Sequence, residues 1–311
     1  MKSLNGNVSS NETTDGSYHP LEAGLNGPFS SVWIATAGMD RAGLKERVTA
    51  TLTRRLRLNQ PLNMRVTNDV DLLAATMIRH PEVSSSIVLI SGTGSIAMRY
   101  SRDINEVVPS RSARSGGWGH LLGDEGAGYA IGRQAICQVL SSIEEMKLSQ
   151  RTSTLSRMEQ DIVSFFNSSS GLKEDEVSEL DLLSKILMAT GEQSGKSRIA
   201  SVTHIVLSAV TSGDGQARDI VSHQVSHLID TTLGRLLDPR SHRYVVPSQC
   251  GLILSGSVML HDAYQTIFQK GLDEREIKFA YTEAVPDAAM AGVEYLLSST
   301  QPQMPQANRV S

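Results

Sequence analysis

The chain has 311 residues, of which 40% are hydrophobic and 20% charged, so we expect a globular core of about two domains and exclude wholesale disorder. The net charge is -4 without a basic stripe, which argues against a nucleic-acid partner, and no apolar run approaches the roughly 18 residues that span a bilayer. We therefore expect a cytoplasmic protein with no nucleic-acid partner and no membrane partner.

The N-terminal part of the chain alternates between strands and helices. Residues 1–28 are rich in Asn, Ser, Thr and Gly and lack periodic apolar positions, which predicts a disordered tail without a signal peptide. A buried-strand pattern at 31–36 precedes apolar residues at helical spacing over 44–56. A second strand is predicted at 64–67, and a helix over 68–78 follows it.

The rest of the chain predicts a hairpin, a glycine-rich segment and several helices. The strands at 86–90 and 95–100 form the hairpin, and a loop then leads to the glycine-rich run 116–128. The further predicted elements are a helix to about 145, an ambiguous polar stretch at 150–180, two or three helices within 182–237, strands at 251–254 and 278–281, a helix after 257 and a last helix over 286–297. Strands and helices that alternate around one hairpin predict an α/β fold with a mixed sheet flanked by helices.

The segment Ser91-Gly-Thr-Gly-Ser95 joins the two hairpin strands. Its glycines would let backbone amides approach a phosphate without a clashing side chain, and its hydroxyls would add donors. A plain hairpin turn explains the same glycines equally well. The overlapping match to a dinucleotide fingerprint, Gly92-x-Gly94-x-x-Ala97, fails because a strand rather than a helix follows the glycines.

Asn68-Asp69 directly follows a predicted strand. A carboxylate at the end of a strand, facing a cleft, can accept the proton of a substrate hydroxyl. Asp69 before an apolar helical run is also a good helix N-cap, and the residues alone favour that structural interpretation.

The glycine-rich run Gly116-Gly-Trp-Gly-His-Leu-Leu-Gly-Asp-Glu-Gly-Ala-Gly128 indicates tight backbone turns or close approach to a ligand. Trp118 would pack on a sugar ring, and Asp124 would accept hydrogen bonds from sugar hydroxyls. A helix entry with Asp124 and Glu125 near the helix dipole is the structural alternative. So many glycines around an acidic pair favour the ligand site, whereas His120 has no local partner for metal binding and is interpreted as structural.

Two further features carry weaker signals. Leu254-Ser-Gly-Ser-Val258 is a strand that leads into a helix, where a bare glycine suits a phosphate or nucleotide but also an ordinary turn. Cys137 and Cys250 lie in apolar segments, so we interpret both as reduced core residues rather than a disulfide.

The four motifs resemble, in order and spacing, those of the N-acetylglucosamine kinases and the related BadF-type ATPases: Asn68-Asp69, SGTGSIA at 91–97, SGGWGHLLGDEGAGYAIGRQA at 115–135 and LSGSV at 254–258. The resemblance covers about residues 32–297. It implies the two-lobe actin-like ATPase (ribonuclease H-like) fold of actin, hexokinase and the seventy-kilodalton heat-shock chaperones, with ATP and sugar between the lobes. It also implies phosphorylation of an amino sugar, typically N-acetylglucosamine at its 6-hydroxyl, with ATP and Mg²⁺, and often a homodimer.

The resemblance assigns roles to individual residues. Asp69 falls on the family's catalytic base, a role compatible with capping. The substrate-binding positions are Asn68, Asp69, Gly117, Trp118 and Asp124, and those that bind the nucleotide are Gly92, Thr93, Gly94, Gly256 and Ser257; none is a protein ligand of a metal. Ile96 stands where some N-acetylglucosamine kinases have a polar residue, so glucosamine or another hexosamine stays open as the substrate.

The sequence departs from the family at its beginning. Family members start with a strand and a hairpin that contains Asp-Gly-Gly-Gly-Thr, whereas residues 1–28 contain only Thr14-Asp-Gly-Ser17. Half of the phosphate clamp is therefore expected to be missing, and we interpret the chain as a truncated product with impaired activity. The implied layout is an incomplete first lobe at 29–80, with the last helix (286–298) packed on it, a C-terminal lobe at 81–285 and a disordered tail at 299–311.

Two other functions remain open from the sequence. One is a non-catalytic member of the same fold that binds a sugar and acts as a sensor or regulator. The other is a BadF-type ATPase that activates a redox partner, a role that resembles proteins with a cysteine-held iron–sulfur cluster. Two dispersed cysteines give the activator little support.

Overall fold

The computed structural model describes residues 31–36, 39, 41–55, 64–102, 109–149, 154–168, 179–187, 195–241 and 244–300. The predicted tail at 1–28 lies outside these residues, as does the tail at 299–311 apart from its first two residues, which end the last helix. Among the helices described, none combines the length and apolar character needed to cross a membrane.

Within the described ranges, seven strands form two sheets. The strands are β1 (Val32–Ala35), β2 (Met64–Thr67), β3 (Ser85–Ser91), β4 (Ser95–Ser101), β5 (Ser110–Gly116), β6 (Cys250–Ser255) and β7 (Tyr281–Ala284). The main sheet has the order β5-β4-β3-β6-β7, and β1 and β2 form a separate parallel pair. Because β4 is antiparallel to both β3 and β5 while β6 is parallel to β3 and β7, the main sheet is mixed, as predicted.

Helices cover both faces of the main sheet. They are α1 (Leu44–Arg55), α2 (Asp69–Ala74), α3 (Gly128–Ser149), α4 (Arg157–Ser168), α5 (Glu179–Leu187), α6 (Gly195–Thr211), α7 (Gly215–His227), α8 (Gly234–Leu236), α9 (Asp262–Asp273) and α10 (Ala288–Thr300). A 3₁₀ turn, Ala75–Arg79, extends α2, and a π-helical turn, Leu228–Leu233, joins α7 to α8.

The strand pattern divides the core into two clusters. Successive residues of a strand point to opposite faces of a sheet. Leu89 and Ala97 accordingly lie in the larger cluster, which α3, α4, α6, α7 and α9 complete. Val88 and Met98 lie in the smaller cluster, against α2 and α10. The mixed α/β fold inferred from the sequence is therefore confirmed.

The parallel pair β1–β2 carries a much thinner layer. Its buried hydrophobic residues are Met39, Met64 and Val66, and α1 covers them without burying any residue of its own. The last helix packs against this part of the chain, since the rings of Trp33 and Tyr295 lie 5.4 Å apart, edge to face. The division of the chain into two lobes stays a prediction.

Several details differ from the sequence-based expectations. Strand β5 occupies part of a predicted loop, and α4 lies in the stretch that was ambiguous. The strand predicted at 278–281 is wrong in position, because β7 begins only at residue 281. Both cysteines are free, but Cys137 is exposed rather than part of the core, since it points away from the buried face of α3.

Candidate active site

One crevice brings together most of the residues that the motifs predicted. It encloses about 910 Å³ beside the turn between β3 and β4. Its walls come from the start of α2, the turn itself and the glycine-rich segment that precedes α3. The predicted site residues that line it are Asn68, Asp69, Gly92, Thr93, Gly94, Gly117 and Asp124. The exposed guanidinium group of Arg114 also borders it, as does Arg41.

Asn68, rather than Asp69, caps α2. The Asn68 side chain accepts hydrogen bonds from the amides of Val70, at 3.3 Å, and of Asp71, and the Asp71 carboxylate accepts one from the Asn68 amide at 3.1 Å. The reciprocal pair between Asn68 and Asp71 is a capping box, so the structural interpretation of Asp69 as the cap is wrong. Asp69 is the first helical residue; its Oδ1 accepts from the Val70 amide at 3.1 Å, and its exposed side chain lines the crevice.

Asp71 connects the start of α2 to the main sheet. The Tyr100 hydroxyl donates to Asp71 Oδ1 at 2.6 Å, and the Arg111 guanidinium lies 3.3 Å from the same oxygen. Burial, together with the Asp71 carboxylate, raises the pKa of Tyr100 above its usual range, so this hydroxyl remains a donor. Strands β4 and β5 therefore hold the helix start that presents Asp69.

The hairpin turn is fixed by backbone hydrogen bonds from two directions. The Gly92 amide donates to the Gly94 carbonyl at 2.9 Å, which closes the turn. The first amides of α3, those of Gly128 and Tyr129, donate to the carbonyls of Gly92 and Thr93 at 2.8 and 3.3 Å. The motif is thus a hairpin turn with an exposed Thr93, and phosphate binding by it stays a prediction.

Asp124 lies against this turn in an uncommon backbone conformation. Its φ is 67°, in the left-handed region that residues other than glycine rarely adopt, and the residue is only 5% exposed. A β-carbon on Gly94 would lie 2.6 Å from Asp124 Oδ2. Glycine at position 94 is therefore what lets this carboxylate approach the turn, and such locally strained residues are found preferentially at ligand sites.

Buried hydroxyl groups hold the glycine-rich segment behind Asp124. Ser91 and Tyr264 both donate to the Gly126 carbonyl, at 2.8 and 2.7 Å. Ser95 donates to the Glu125 carbonyl at 2.7 Å. Because Ser91 and Ser95 are the two ends of the hairpin turn, the turn and the segment are joined as one wall of the crevice, which we call the inner wall.

A smaller cavity of about 150 Å³ shares Gly92 and Thr93 with the crevice, and five of its eleven lining residues carry a hydroxyl group. Of the residues predicted to bind nucleotide, Gly92, Thr93 and Ser257 line it. Ser197 and Ser201 of α6 line it too, although no motif singled them out. Their spacing with His204 places the three on one helix face, and this polar stripe was the signal in the sequence.

Two predicted site residues lie outside both cavities. Trp118 lines neither; its ring is 56% exposed, and the guanidinium of Arg235 lies 4.9 Å above it. The structure thus does not place Trp118 with the other predicted sugar-binding residues, because Gly117 and Gly119 adopt positive φ and direct the chain outward. Gly256 lies behind the turn, with φ 100° and no room for a β-carbon, which would meet the Ser91 carbonyl oxygen at 2.4 Å.

No resident metal site is evident in the described ranges. They contain no group of three or more His, Cys, Asp or Glu residues that could hold an ion. His120 packs edge to face against Tyr129, with 4.7 Å between ring centroids, in keeping with a structural role.

Comparison with known proteins adds a family and a set of relatives. A sequence model of the BadF/BadG/BcrA/BcrD ATPase family matches residues 27–294. An N-acetylmuramic acid/N-acetylglucosamine kinase of Clostridium acetobutylicum is 35% identical over 201 residues, which cover 64% of this chain and 56% of that protein. An N-acetyl-D-glucosamine kinase of Dictyostelium discoideum is 33% identical over 118 residues, 37% of this chain and 33% of that protein. The matched part of this chain therefore spans about half of the length of the first relative and a third of the length of the second.

A solved structure supports the fold. A crystal structure from Porphyromonas gingivalis, provisionally named an N-acetylglucosamine kinase, superposes with a TM-score of 0.61 at 16% identity. The superposition covers 85% of this chain and 76% of that one. At this level of identity the similarity concerns the architecture alone, and it agrees with the actin-like fold that the motifs implied.

Proposed function

Because the chain belongs to the BadF/BadG/BcrA/BcrD ATPase family, we propose that it is an ATP-dependent kinase that phosphorylates an amino sugar at the 6-hydroxyl. N-acetylglucosamine is the substrate named for both curated relatives. One observation carries the proposal: the carboxylate of Asp69 and the turn around Thr93 line the same crevice. A base for the sugar hydroxyl and a loop for phosphate are the two parts that such a transfer needs.

The sugar would bind between the start of α2 and the glycine-rich segment. The buried carboxylate of Asp124 would accept hydrogen bonds from its hydroxyls, while Gly117 on the same side and Asn68 on the opposite side would shape the site. Asp69 would accept the proton of the reacting hydroxyl as the sugar oxygen bonds to the γ-phosphorus and the bond to the β,γ-bridging oxygen breaks. ADP leaves with that oxygen.

The phosphates of ATP would approach the hairpin turn. Thr93 borders both the crevice and the hydroxyl-lined cavity, so its hydroxyl can reach a phosphate placed between them. A β-carbon on Gly92 would meet only the backbone N and Oγ of Ser257, at 4.0 Å, so there is room for a phosphate close to the backbone. Ser257 adds a donor from the start of the loop after β6, on the side proposed for the nucleoside.

Mg²⁺ fits this crevice as a companion of ATP. It usually binds through substrate phosphates and one or two carboxylates, and Asp69 and Asp124 supply two at the crevice. When bound, the ion neutralises charge on the phosphates. The protein's own contribution is to position the sugar hydroxyl, the base and the turn relative to each other.

The test is sugar-dependent ADP release by the purified chain, with N-acetylglucosamine and N-acetylmuramic acid as acceptors. The second sugar is included because the Clostridium relative is named for it, and because Arg114 borders the crevice, where it would pair with a carboxylate. Asp69→Asn is expected to lower kcat by about 100-fold or more, with little change in sugar affinity.

Asp262→Asn is the matched control, because Asp262 is also an exposed first residue of a helix but lies outside the crevice. Equal loss in both variants would overturn the role of Asp69. Calorimetric binding of N-acetylglucosamine without turnover would favour the sensor, and ATP hydrolysis that no sugar stimulates would favour the ATPase activator. Rapid wild-type turnover would contradict the impairment expected from the sequence.

A further inference from the structure

A third cavity, on the opposite side of strand β5 from the crevice, differs from the crevice in chemistry. It encloses about 360 Å³. Its lining residues are Arg99, Ala113, Arg114, Ser115, Gly116, Trp118, Arg235, Leu236 and Ser241. We call it the arginine cavity, because three of its nine lining residues are arginines and none is acidic.

The position of the arginine cavity follows from strand alternation. Ile96 and Met98 of β4 face the crevice, so Ala97 and Arg99 face the other side, where Ala113 of β5 packs against the larger core cluster. Strand β5 is the end strand of the main sheet. The long side chain of Arg114 borders both cavities as a result.

The arginine cavity contains a buried hydroxyl that lacks a partner. Ser115 is only 5% exposed, and within the described ranges nothing hydrogen-bonds its Oγ. Buried polar side chains are nearly always hydrogen-bonded, so an unpaired one that lines a cavity indicates a missing ligand atom. Arg99 adds a positive charge at 3% exposure, beside this hydroxyl in the lining.

The outer part of the cavity combines an aromatic ring with two further cations. The Arg235 guanidinium lies 4.9 Å from the Trp118 ring centroid, and both side chains line the cavity. Arg114 donates to the carbonyls of Gly116 and Gly117, at 3.3 and 2.7 Å. Neither guanidinium has a carboxylate within 4 Å among the residues described.

We propose that the arginine cavity binds a small phosphate monoester of the sugar-phosphate class, at a site separate from the crevice. The planar forks of arginine match phosphate oxygens, and the Ser115 hydroxyl supplies one further donor at the cavity floor. The indole of Trp118 offers an apolar surface to the carbon skeleton of the ligand. Nothing in this inference depends on nucleotide binding or turnover in the crevice.

Fluorescence provides a direct test, because the chain contains only two tryptophans. In a Trp33→Phe protein, Trp118 is the single indole, and it lines the cavity. We expect a saturable change in its emission with glucosamine 6-phosphate, weaker binding of inorganic phosphate, and affinities that fall as salt is added. Neutral N-acetylglucosamine at the same concentrations should not change the emission of Trp118 in this arginine-dependent way.

Three substitutions in the Trp33→Phe protein test whether the change in Trp118 emission comes from binding in the arginine cavity. Arg235→Gln should weaken glucosamine 6-phosphate about tenfold, because a charge-assisted hydrogen bond is lost. Ser115→Ala should weaken it about threefold while leaving the unliganded protein as stable as before, since the removed hydroxyl has no partner. Arg240→Gln is the matched control; Arg240 is a nearby exposed arginine paired with Asp238 and absent from the lining, and binding should not change.

The outcomes that overturn the proposal are equally defined. The proposal is overturned if neither glucosamine 6-phosphate nor inorganic phosphate gives a saturable change in emission while circular dichroism shows folded protein. An affinity that Arg235→Gln and Ser115→Ala leave unchanged would place the ligand in the crevice instead. Equal weakening by Arg240→Gln would reduce the effect to general surface charge.

Discussion

The two sides of the crevice are built in different ways. The inner wall consists of the hairpin turn and the glycine-rich segment, joined by buried hydrogen bonds and backed by the larger core cluster. The opposite wall, which we call the outer wall, is the start of α2 together with Arg41, and the β1–β2 layer with α1 lies next to it. Among the described residues, that layer buries only three hydrophobic residues, and α1 contributes none of them.

This difference indicates that one side of the crevice is rigid and the other is able to move. The proposed phosphate side cannot move without breaking several buried contacts at once. Helix α2, which presents Asp69, is held by the smaller core cluster and by Asp71, whereas the β1–β2 layer next to it is thin. Regions with few buried contacts open more readily than deep cores. We therefore expect that the β1–β2 layer beside the outer wall supplies any opening of the crevice, and three pairs of substitutions test how far the two sides differ.

Gly256→Ala should have the largest effect, because it damages the inner wall directly. The new β-carbon would meet the Ser91 carbonyl oxygen at 2.4 Å, and alanine would be held at a φ of 100°. Overpacking costs about 1–3 kcal/mol and the left-handed backbone about 1–2 kcal/mol, so we expect a loss of about 4 kcal/mol in the free energy of unfolding. Urea unfolding measures it.

Gly213→Ala separates the two causes. Gly213 has a φ of 89° but nothing within 4 Å of a β-carbon, so only the backbone term of about 1–2 kcal/mol remains. If both variants lose the same amount, the contact between Gly256 and Ser91 does not brace the inner wall.

Leu207→Ala and Leu52→Ala compare the layers behind the two walls. Leu207 of α6 is fully buried in the larger cluster, and its truncation should cost about 3 kcal/mol. Leu52 of α1 is half-buried in the β1–β2 layer, where we expect about 1 kcal/mol. Equal losses in thermal or urea unfolding would mean that the β1–β2 layer is as firmly packed as the larger cluster.

Tyr100→Phe should have a smaller effect, at the joint between the walls. It removes a hydrogen bond to the Asp71 carboxylate, worth about 2 kcal/mol at neutral pH. Tyr295→Phe is the control, because that buried hydroxyl has no partner in the described ranges and its removal should cost nothing. A loss in the control equal to that of Tyr100→Phe would contradict the role of the Asp71 bond.

The same tyrosine predicts a pH dependence. Burial raises the pKa of Tyr100, so the folded state keeps its proton while the unfolded chain ionises near pH 10. The stabilisation is thus present below about pH 10 and lost as the pH rises further. Burial also raises the pKa of Tyr281, to about 12, so Tyr100→Phe should reduce the alkaline slope of stability without abolishing it.

The fold could be predicted where the pattern of the sequence follows burial. Strand β2 was predicted with the bounds observed, and the hairpin strands were placed within a residue or two, because both carry apolar residues next to turn glycines. Strand β5 was missed because an end strand with Arg111 and Arg114 has no apolar alternation. The amphipathic helix α4 was missed because its polar flanks dominated the window.

Most members of the candidate site could be predicted from the sequence, but the directions of their side chains could not. Ser197 and Ser201 were missed, and Trp118 and Gly256 line neither cavity. The motifs identified Asp69, Thr93 and Asp124, which the fold places at one crevice. No residue pattern shows that Asn68 rather than Asp69 caps the helix, since both are good caps. Nor does the sequence reveal where Trp118 points, because positive φ values at the neighbouring glycines decide it.

Strand β5 has one more consequence, for how this protein behaves in concentrated solution. A strand at the margin of a sheet offers unused backbone donors and acceptors to a strand of another molecule, and this is a common route to aggregation. Its sequence, SRSARSG, places cations and small hydroxyls along that margin instead of Val or Ile. The arginines that made the strand unrecognisable in the hydrophobic pattern would therefore also oppose the pairing of a strand from a neighbouring molecule with β5.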